Sequence, residues 1–402
     1  MAVSPDAVSP ISARLVICLG LSQLVGWGTM HYLIAVFGQA IRSDFGWSSA
    51  FAQSGFSLAL VVMGLTSGLV GRWIDAHGGR AAMMAGCWIG AAGCALLATT
   101  QGPVQYFCGW LLLGLAMRLS LYDAAFASLA HVAGGAAKRA MSQITLFGGL
   151  ASTAFWPLGQ FLLDHIGWRG ALGVYTALLL LASCLHFALP LRQRGPTPKE
   201  DQAKALAAGG LATKAPVASA DQWLFGFIAA SVMFMQLGLA AHFIELLRGA
   251  DWDAATAVGL ASVFGLGQFT GRVFVVAWAW RIDAIRLNLL PASLLCGCFA
   301  LYLLVGGTLF GAAAFAFFYG TGNGIATVTR GAMPLLLFDT THYGRIVGAI
   351  LKPAFMLAAA APIAFAWSIG WWGHEVTVAL TLALSIALLG ASIALAMRHR
   401  TA

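Results

Sequence analysis

The chain reads as an all-α integral membrane protein with twelve transmembrane helices in two pseudo-symmetric six-helix bundles, and three observations predict this. Of its 402 residues, 60% are hydrophobic and only 9% are charged, against about 25% charged in an ordinary soluble domain. Apolar stretches of the roughly 20 residues needed to cross a hydrocarbon core recur along its whole length. A single long polar segment divides those stretches into two sets.

Charges, glycines and prolines mark the breaks between spans. The first half gives spans at 13–38, 48–71, 81–100, 103–131, 140–163 and 168–190, and the second at 221–247, 254–279, 285–306, 309–332, 344–369 and 374–397. Residues 1–12 are polar, carry Pro5 and Pro10, and show no small-residue cleavage site after a short apolar run, so the first span is expected to be retained. Residues 191–219 are rich in Lys, Arg, Gly and Pro and read as a cytoplasmic linker between an N-terminal bundle, 1–190, and a C-terminal bundle, 220–402.

Orientation follows the basic residues that flank the spans. With the N-terminus inside, fifteen of the 22 Lys and Arg residues fall in cytoplasmic segments and three, Arg42, Arg169 and Arg248, in outer loops. Both termini are therefore expected in the cytoplasm, with the chain in the cell inner membrane. The net charge of +8 is accounted for by this asymmetry, and no nucleic-acid partner is expected. All seven cysteines lie in apolar segments without C-x-x-C or Cys/His ligand spacing, so packing roles are expected and no metal or cofactor is.

The two halves echo each other. Gly71-Arg72 in span two recurs as Gly271-Arg272 in span eight; Arg139 opens span five and Arg345 opens span eleven, with Pro157 and Pro362 at nearly matching depths. Such internal repeats suit two bundles that rock about a shared midplane site.

Between spans two and three stands Gly71-Arg72-Trp73-Ile74-Asp75-Ala76-His77-Gly78-Gly79-Arg80. It resembles the loop signature of the major facilitator superfamily, roughly G-x-x-x-D-x-x-G-x-R, at the place in the chain where that family carries it. The resemblance covers essentially the whole chain and implies a transporter fold, with Gly71, Asp75, Gly78 and Arg80 acting in gating. Ala76 and Gly79 depart from positions that are often basic in the family. Gly78 and Gly79 are expected to form the turn.

Branch signatures narrow the cargo. Proton-driven drug exporters of the superfamily carry a glycine-proline motif in span five, but here Trp156 precedes Pro157. They also carry an Arg followed by Gln-Gly in span four, whereas Leu121 and Tyr122 follow Arg118 here. The second half is more similar to the monocarboxylate and oxalate/formate porters. That resemblance implies a carboxylate-binding Arg in span eight, matched by Arg272, and a Lys matched by Lys352 in span eleven. The acid that some of these porters place one turn before the Arg is replaced by Gln268.

Four cations, Arg118, Arg272, Arg330 and Lys352, lie inside apolar spans, against one comparably deep acid, Asp123. Cations within the hydrocarbon are costly and usually face a wet cavity, so a net-basic cavity predicts an anionic cargo. Arg272, with Gln268 on the same face four residues earlier, is expected to offer hydrogen bonds to a carboxylate. Lys352, about 12 Å into span eleven beside Pro353, is expected to share that role, with snorkelling toward the cytoplasm as its alternative. Two readings stay open for Arg118, cargo contact and structural partner. Two also stay open for Asp123, proton carrier and fixed ion pair. Tyr319, Asn323, Thr327 and Arg330 form one polar stripe in span ten: Tyr319 and Asn323 are read toward cargo and Arg330 toward the gate. Span one carries Gln23, Trp27, Met30 and His31 along one side, next to Tyr32, and His31 is a second candidate proton carrier. In span five, Thr145, Gly149, Ser152 and Trp156 share a face; Trp156 either walls a cargo pocket or packs. Tyr122, one turn from Arg118, is read as a further cargo contact. His242 and Glu245 form an expected outer pair in span seven.

No nucleotide-binding loop, paired nucleophile and base, or His/Asp metal spacing is visible, so neither an enzyme nor an ATP-driven pump is expected. The expectation is a monomeric secondary transporter for a small organic anion, coupled to protons, in the lipid bilayer. The alternative is an efflux antiporter for drugs or hydrophobic metabolites.

Overall fold

A computed structural model describes residues 11–190, 219–248, 254–338 and 343–399. Most of the expected linker, and the side chains of Ser152, Glu245 and Arg248, lie outside the described residues. The described residues are helical, with no strand among them.

The first half opens with α1 (Ala13–Gly26), whose N-cap Ser12 accepts a bond from the Leu15 amide. A five-residue π turn, Trp27–His31, then joins α1 to α2 (Leu33–Phe45) within one continuous apolar run. Next come α3 (Ser49–His77) and α4 (Gly79–Ala98). Span four is two helices, α5 (Pro103–Ser120) and α6 (Tyr122–Ala133), because Leu121 adopts an extended conformation (φ −81°, ψ −169°). After a 3₁₀ turn follow α7 (Lys138–Gly149) and α8 (Ala151–Ser183). The second half comprises α9 (Ser219–Arg248), α10 (Ala254–Ala277), the short α11 (Ala284–Leu287), α12 (Leu289–Val305), α13 (Leu309–Leu337) and α14 (Tyr343–Arg398). Gly167 (φ 69°) and Gly373 (φ 81°) turn the chain within α8 and α14, at the predicted boundaries between spans five and six and between eleven and twelve.

The structure shifts the reading of the signature segment. Helix α3 runs to His77, so Asp75 sits on its last turn rather than in a loop. Only Gly78 makes the turn, at φ 79°. Gly79 is the first residue of α4, and it must be glycine for a different reason: a Cβ there would overlap the side chain of Ser128 in α6.

Two large apolar cores form, with a small third cluster of Val275, Ala279, Leu287, Ile325 and Val328. One is built mainly from residues between Leu15 and Leu189, and the other from residues between Phe225 and Leu395. In lipid, apolar burial does not drive helices together, and small residues that allow backbones to touch become the packing device. The second half shows this between α10 and α13. Gly267 and Gly271 lie against the carbonyls of Phe317 and Thr321, while Gly320 and Gly324 lie against those of Phe264 and Gln268. The same device joins the halves along α3 and α14, where Gly71 meets the Gly344 carbonyl and Gly348 meets the Ser67 carbonyl. Gly71→Ala is expected to force α3 and α14 apart and cost about 1–3 kcal/mol, read as a lowered melting temperature of the purified protein. Gly173→Ala, where nothing lies within 4 Å of the new Cβ, is expected to leave it unchanged.

Candidate functional site

Two groups of polar side chains sit where the halves meet. The first surrounds Asp123. The break at Leu121 ends α5 at Ser120 and starts α6 at Tyr122, so Asp123 lies in the first turn of α6, where the helix dipole favours a carboxylate. The same break bends the chain enough for Arg118 to reach it. Arg118 Nη1 lies 3.8 Å from one carboxylate oxygen, and Arg330 Nη1, from α13 of the other half, lies 3.2 Å from the other. Arg118 also donates to the Ser67 carbonyl at 3.2 Å. In this conformation Asp123 lies between two guanidinium groups, and Arg118 bonds protein on a side chain only 2% exposed. Beside this cluster, Phe126 of α6 nests on Gly331 of α13, and the Tyr343 hydroxyl donates to the Gly331 carbonyl at 2.8 Å.

Asp75 makes the second joint. Its two carboxylate oxygens accept from the Gly344 and Arg345 amides at 2.9 and 2.7 Å. Those amides are among the otherwise unpaired donors that begin a helix, so a first-half side chain caps the N-terminus of second-half α14. Lys138 adds a third joint by donating to the Ile282 carbonyl. Arg80 does not cross between halves: its guanidinium lies 4.6 Å above the Phe187 ring, in the first half.

The second group surrounds Arg272. This residue is 4% exposed, and its Nε and Nη1 have no hydrogen-bond partner among the described residues. Its guanidinium lies across Gly149 of α7, where any Cβ would collide with it. Gln268 is likewise buried, one turn earlier. On the neighbouring first-half surface, Tyr122 donates to the Thr145 carbonyl at 3.2 Å and its ring lies 5.0 Å from that of Trp27. Trp27 opens the π turn, and its buried Nε1 also lacks a partner. From Trp27 the aromatic contacts continue to His31 (4.6 Å), from His31 to Phe56 (5.1 Å), and from Tyr32 to Trp156 (5.8 Å). Trp156 is 40% exposed and extends this aromatic set instead of packing in the core. Wide turns of this kind recur at functional sites.

Two sequence-predicted cargo residues, Tyr319 and Asn323, are placed in the protein interior. Tyr319 is 1% exposed and belongs to the second core, stacked on Phe243, Phe264 and Phe315, with its hydroxyl donating to the Met235 carbonyl. Asn323 is also buried, and its amide donates to the Tyr319 carbonyl one turn back. Lys352 is exposed and forms no ion pair or hydrogen bond among the described residues; Ile363 and Trp367, on the same helical face, are 62% and 69% exposed. His242 bonds the Pro362 carbonyl at 2.9 Å, and the Glu245 side chain of its expected pair lies outside the described residues. Sequence reasoning, which gave Asp75 a gating role, missed the unpaired Trp27 Nε1, because no periodicity announces a π turn.

An all-helical, multi-pass architecture of small-residue contacts, with charged joints between two halves, defines a membrane carrier. The chain belongs to the major facilitator superfamily, whose family model matches residues 16–362. It is a membrane transporter and not an enzyme. Its fold is similar to that of the human organic anion transporter MFSD10 (TETRAN), with 16% identity, 94% of this chain and 99% of that one covered, and a TM-score of 0.72. It is also similar to the proton:xylose symporter XylE bound to 6-bromo-6-deoxy-D-glucose, with 13% identity, 94% of each chain covered and a TM-score of 0.73. Over 139 residues it is 32% identical to monocarboxylate transporter 13 of Bos taurus, a match spanning 34% of this chain and 30% of that protein.

Asp123→Asn is expected to leave Arg118 and Arg330 uncompensated and to cost about 3–5 kcal/mol. Combining it with Arg330→Gln is expected to recover part of that loss, which thermal unfolding of the single and double variants measures.

Proposed function

We propose that this transporter moves a small organic anion, a carboxylate, across the inner membrane by alternating access, with Arg272 as the cargo's principal donor. The observation that carries the reading is the contrast among the deep cations. Arg118 and Arg330 share Asp123, although Arg118 Nε and Nη1 also lack a hydrogen-bond partner, whereas Arg272 is buried with Nε and Nη1 unmet and no carboxylate against it among the described residues. A buried guanidinium lacking acceptors is destabilising, and a carboxylate cargo supplies the missing acceptors through charge-assisted hydrogen bonds. The partial match to a monocarboxylate transporter and the likeness to an organic anion transporter support the same cargo class. Lys352, on an exposed face, is given no part in the site.

The fold is read as twelve spans in two bundles, 1–190 and 220–402, joined by the linker 191–219. Asp75, Asp123, Arg330 and the Gly71–Gly344 contact form the gate at the Gly78 end, which the positive charge around it assigns to the cytoplasm, and Arg80 steadies α4 behind that gate. The conformation described is thus the one closed on the cytoplasmic side. Proton coupling is assigned to His31, half-buried in the aromatic set, because Asp123 is engaged by two arginines.

Proteoliposome uptake of a labelled carboxylate tests the proposal. Arg272→Gln is expected to lower uptake ten- to a hundredfold, by the value of hydrogen bonds to a charged group, about 1.5–3 kcal/mol. Arg272→Lys is expected to retain part of it. Uptake unchanged in Arg272→Gln removes the anion reading and favours the efflux alternative.

A further inference from the structure

We propose that the cargo is a planar aromatic carboxylate, held at its acid end by Arg272 and Trp27 Nε1 and along its ring by the Trp27–Tyr122–Tyr32–Trp156 wall. This deepens the reading of Arg272 as an anion donor and rests on it. Among the buried donors that lack partners, which include the Arg118 guanidinium and the Trp110 indole, the Arg272 guanidinium of the second half and the Trp27 indole N–H of the first are connected through one residue. They are linked through Tyr122, whose ring lies 5.0 Å from Trp27 and whose hydroxyl lies against Gly148, next to the Gly149 that Arg272 crosses. Among the described residues no carboxylate pairs with Arg272, so the unmet donors call for an acceptor from outside the chain.

The surroundings of these donors specify the rest of the ligand. Trp27, His31 and Tyr32 are each only half-buried, and Trp156 is 40% exposed, so parts of these rings are left uncovered. The π turn produces this arrangement, because its wider turn presents Trp27 and His31 together, with ring centroids 4.6 Å apart, and Tyr32 follows directly. Aromatic rings favour other aromatic rings through offset or edge-on contacts beyond the area they bury. An aliphatic acid of equal size would satisfy Arg272 and gain only the area.

The test is binding to the full chain in nanodiscs of three probes of similar size: benzoate, cyclohexanecarboxylate and benzamide. Benzoate is expected to bind about five- to tenfold more tightly than cyclohexanecarboxylate, and benzamide, which lacks the charge, far more weakly than either. Trp27→Phe, which keeps a ring and loses the N–H, is expected to weaken both acids severalfold while preserving their ratio. Trp27→Leu is expected to bring the ratio close to one. Melting temperatures show that both variants fold. Equal affinity for the two acids in the native chain, a ratio that survives Trp27→Leu, or benzamide binding like benzoate overturns the aromatic proposal. Equal affinities that both fall in Arg272→Gln leave the anion carrier standing, whereas no binding of either acid removes both readings.

Discussion

A guanidinium inside an apolar span has to find acceptors, and most of this molecule's central architecture follows from how its arginines meet that requirement. Transfer of charge out of water costs several kcal/mol even after relaxation, roughly. Arg118 and Arg330 converge on Asp123, and in doing so tie α5 and α6 of one half to α13 of the other. Arg272 has no such acid among the described residues: it is as deeply buried, lies against a glycine, and keeps two donors unmatched. The same residue type thus serves twice, once as a latch and once as a receptor.

The joints between the halves are suited to separation. Along α3 and α14 the contact is backbone against backbone at Gly71, Gly344, Ser67 and Gly348, and further along the Met356 and Phe355 side chains lie against Gly64. The backbone contacts gain packing and lose little rotamer freedom on closing. The charged links, Asp75 to two amides and Asp123 to Arg330, are the kind that water can replace when the halves part. Within the second half, by contrast, α10 and α13 combine paired glycines with the aromatic stack around Tyr319.

Much of this was legible in the residue pattern. The multi-pass helical architecture and the Gly71–Arg80 signature follow from hydropathy and glycine placement, and Gly167 and Gly373 turn the chain where spans five and six and spans eleven and twelve were divided. Arg272 stood out because nothing else explains a cation so far from a span's end. What the pattern hid was the partner of each polar group. The stripe from Tyr319 to Arg330 has one periodicity whether it faces a cavity or a core, and only the fold shows Tyr319 bonded to a carbonyl of α9. Asp123 looked mispaired with Arg118 because five residues apart in an unbroken helix they diverge; the extended Leu121 undoes that geometry. Lys352 had the right residue type at a plausible depth and lies on the exposed face.

The Asp75 contact has an evolutionary consequence. Its acceptor is a side chain but its donors are main-chain amides, so the bonds do not depend on which side chain position 345 carries, while position 344 is confined to glycine because a Cβ there would meet both the Asp75 carboxylate and the Gly71 carbonyl. The half that receives the bond therefore encodes it by the absence of a side chain at one position.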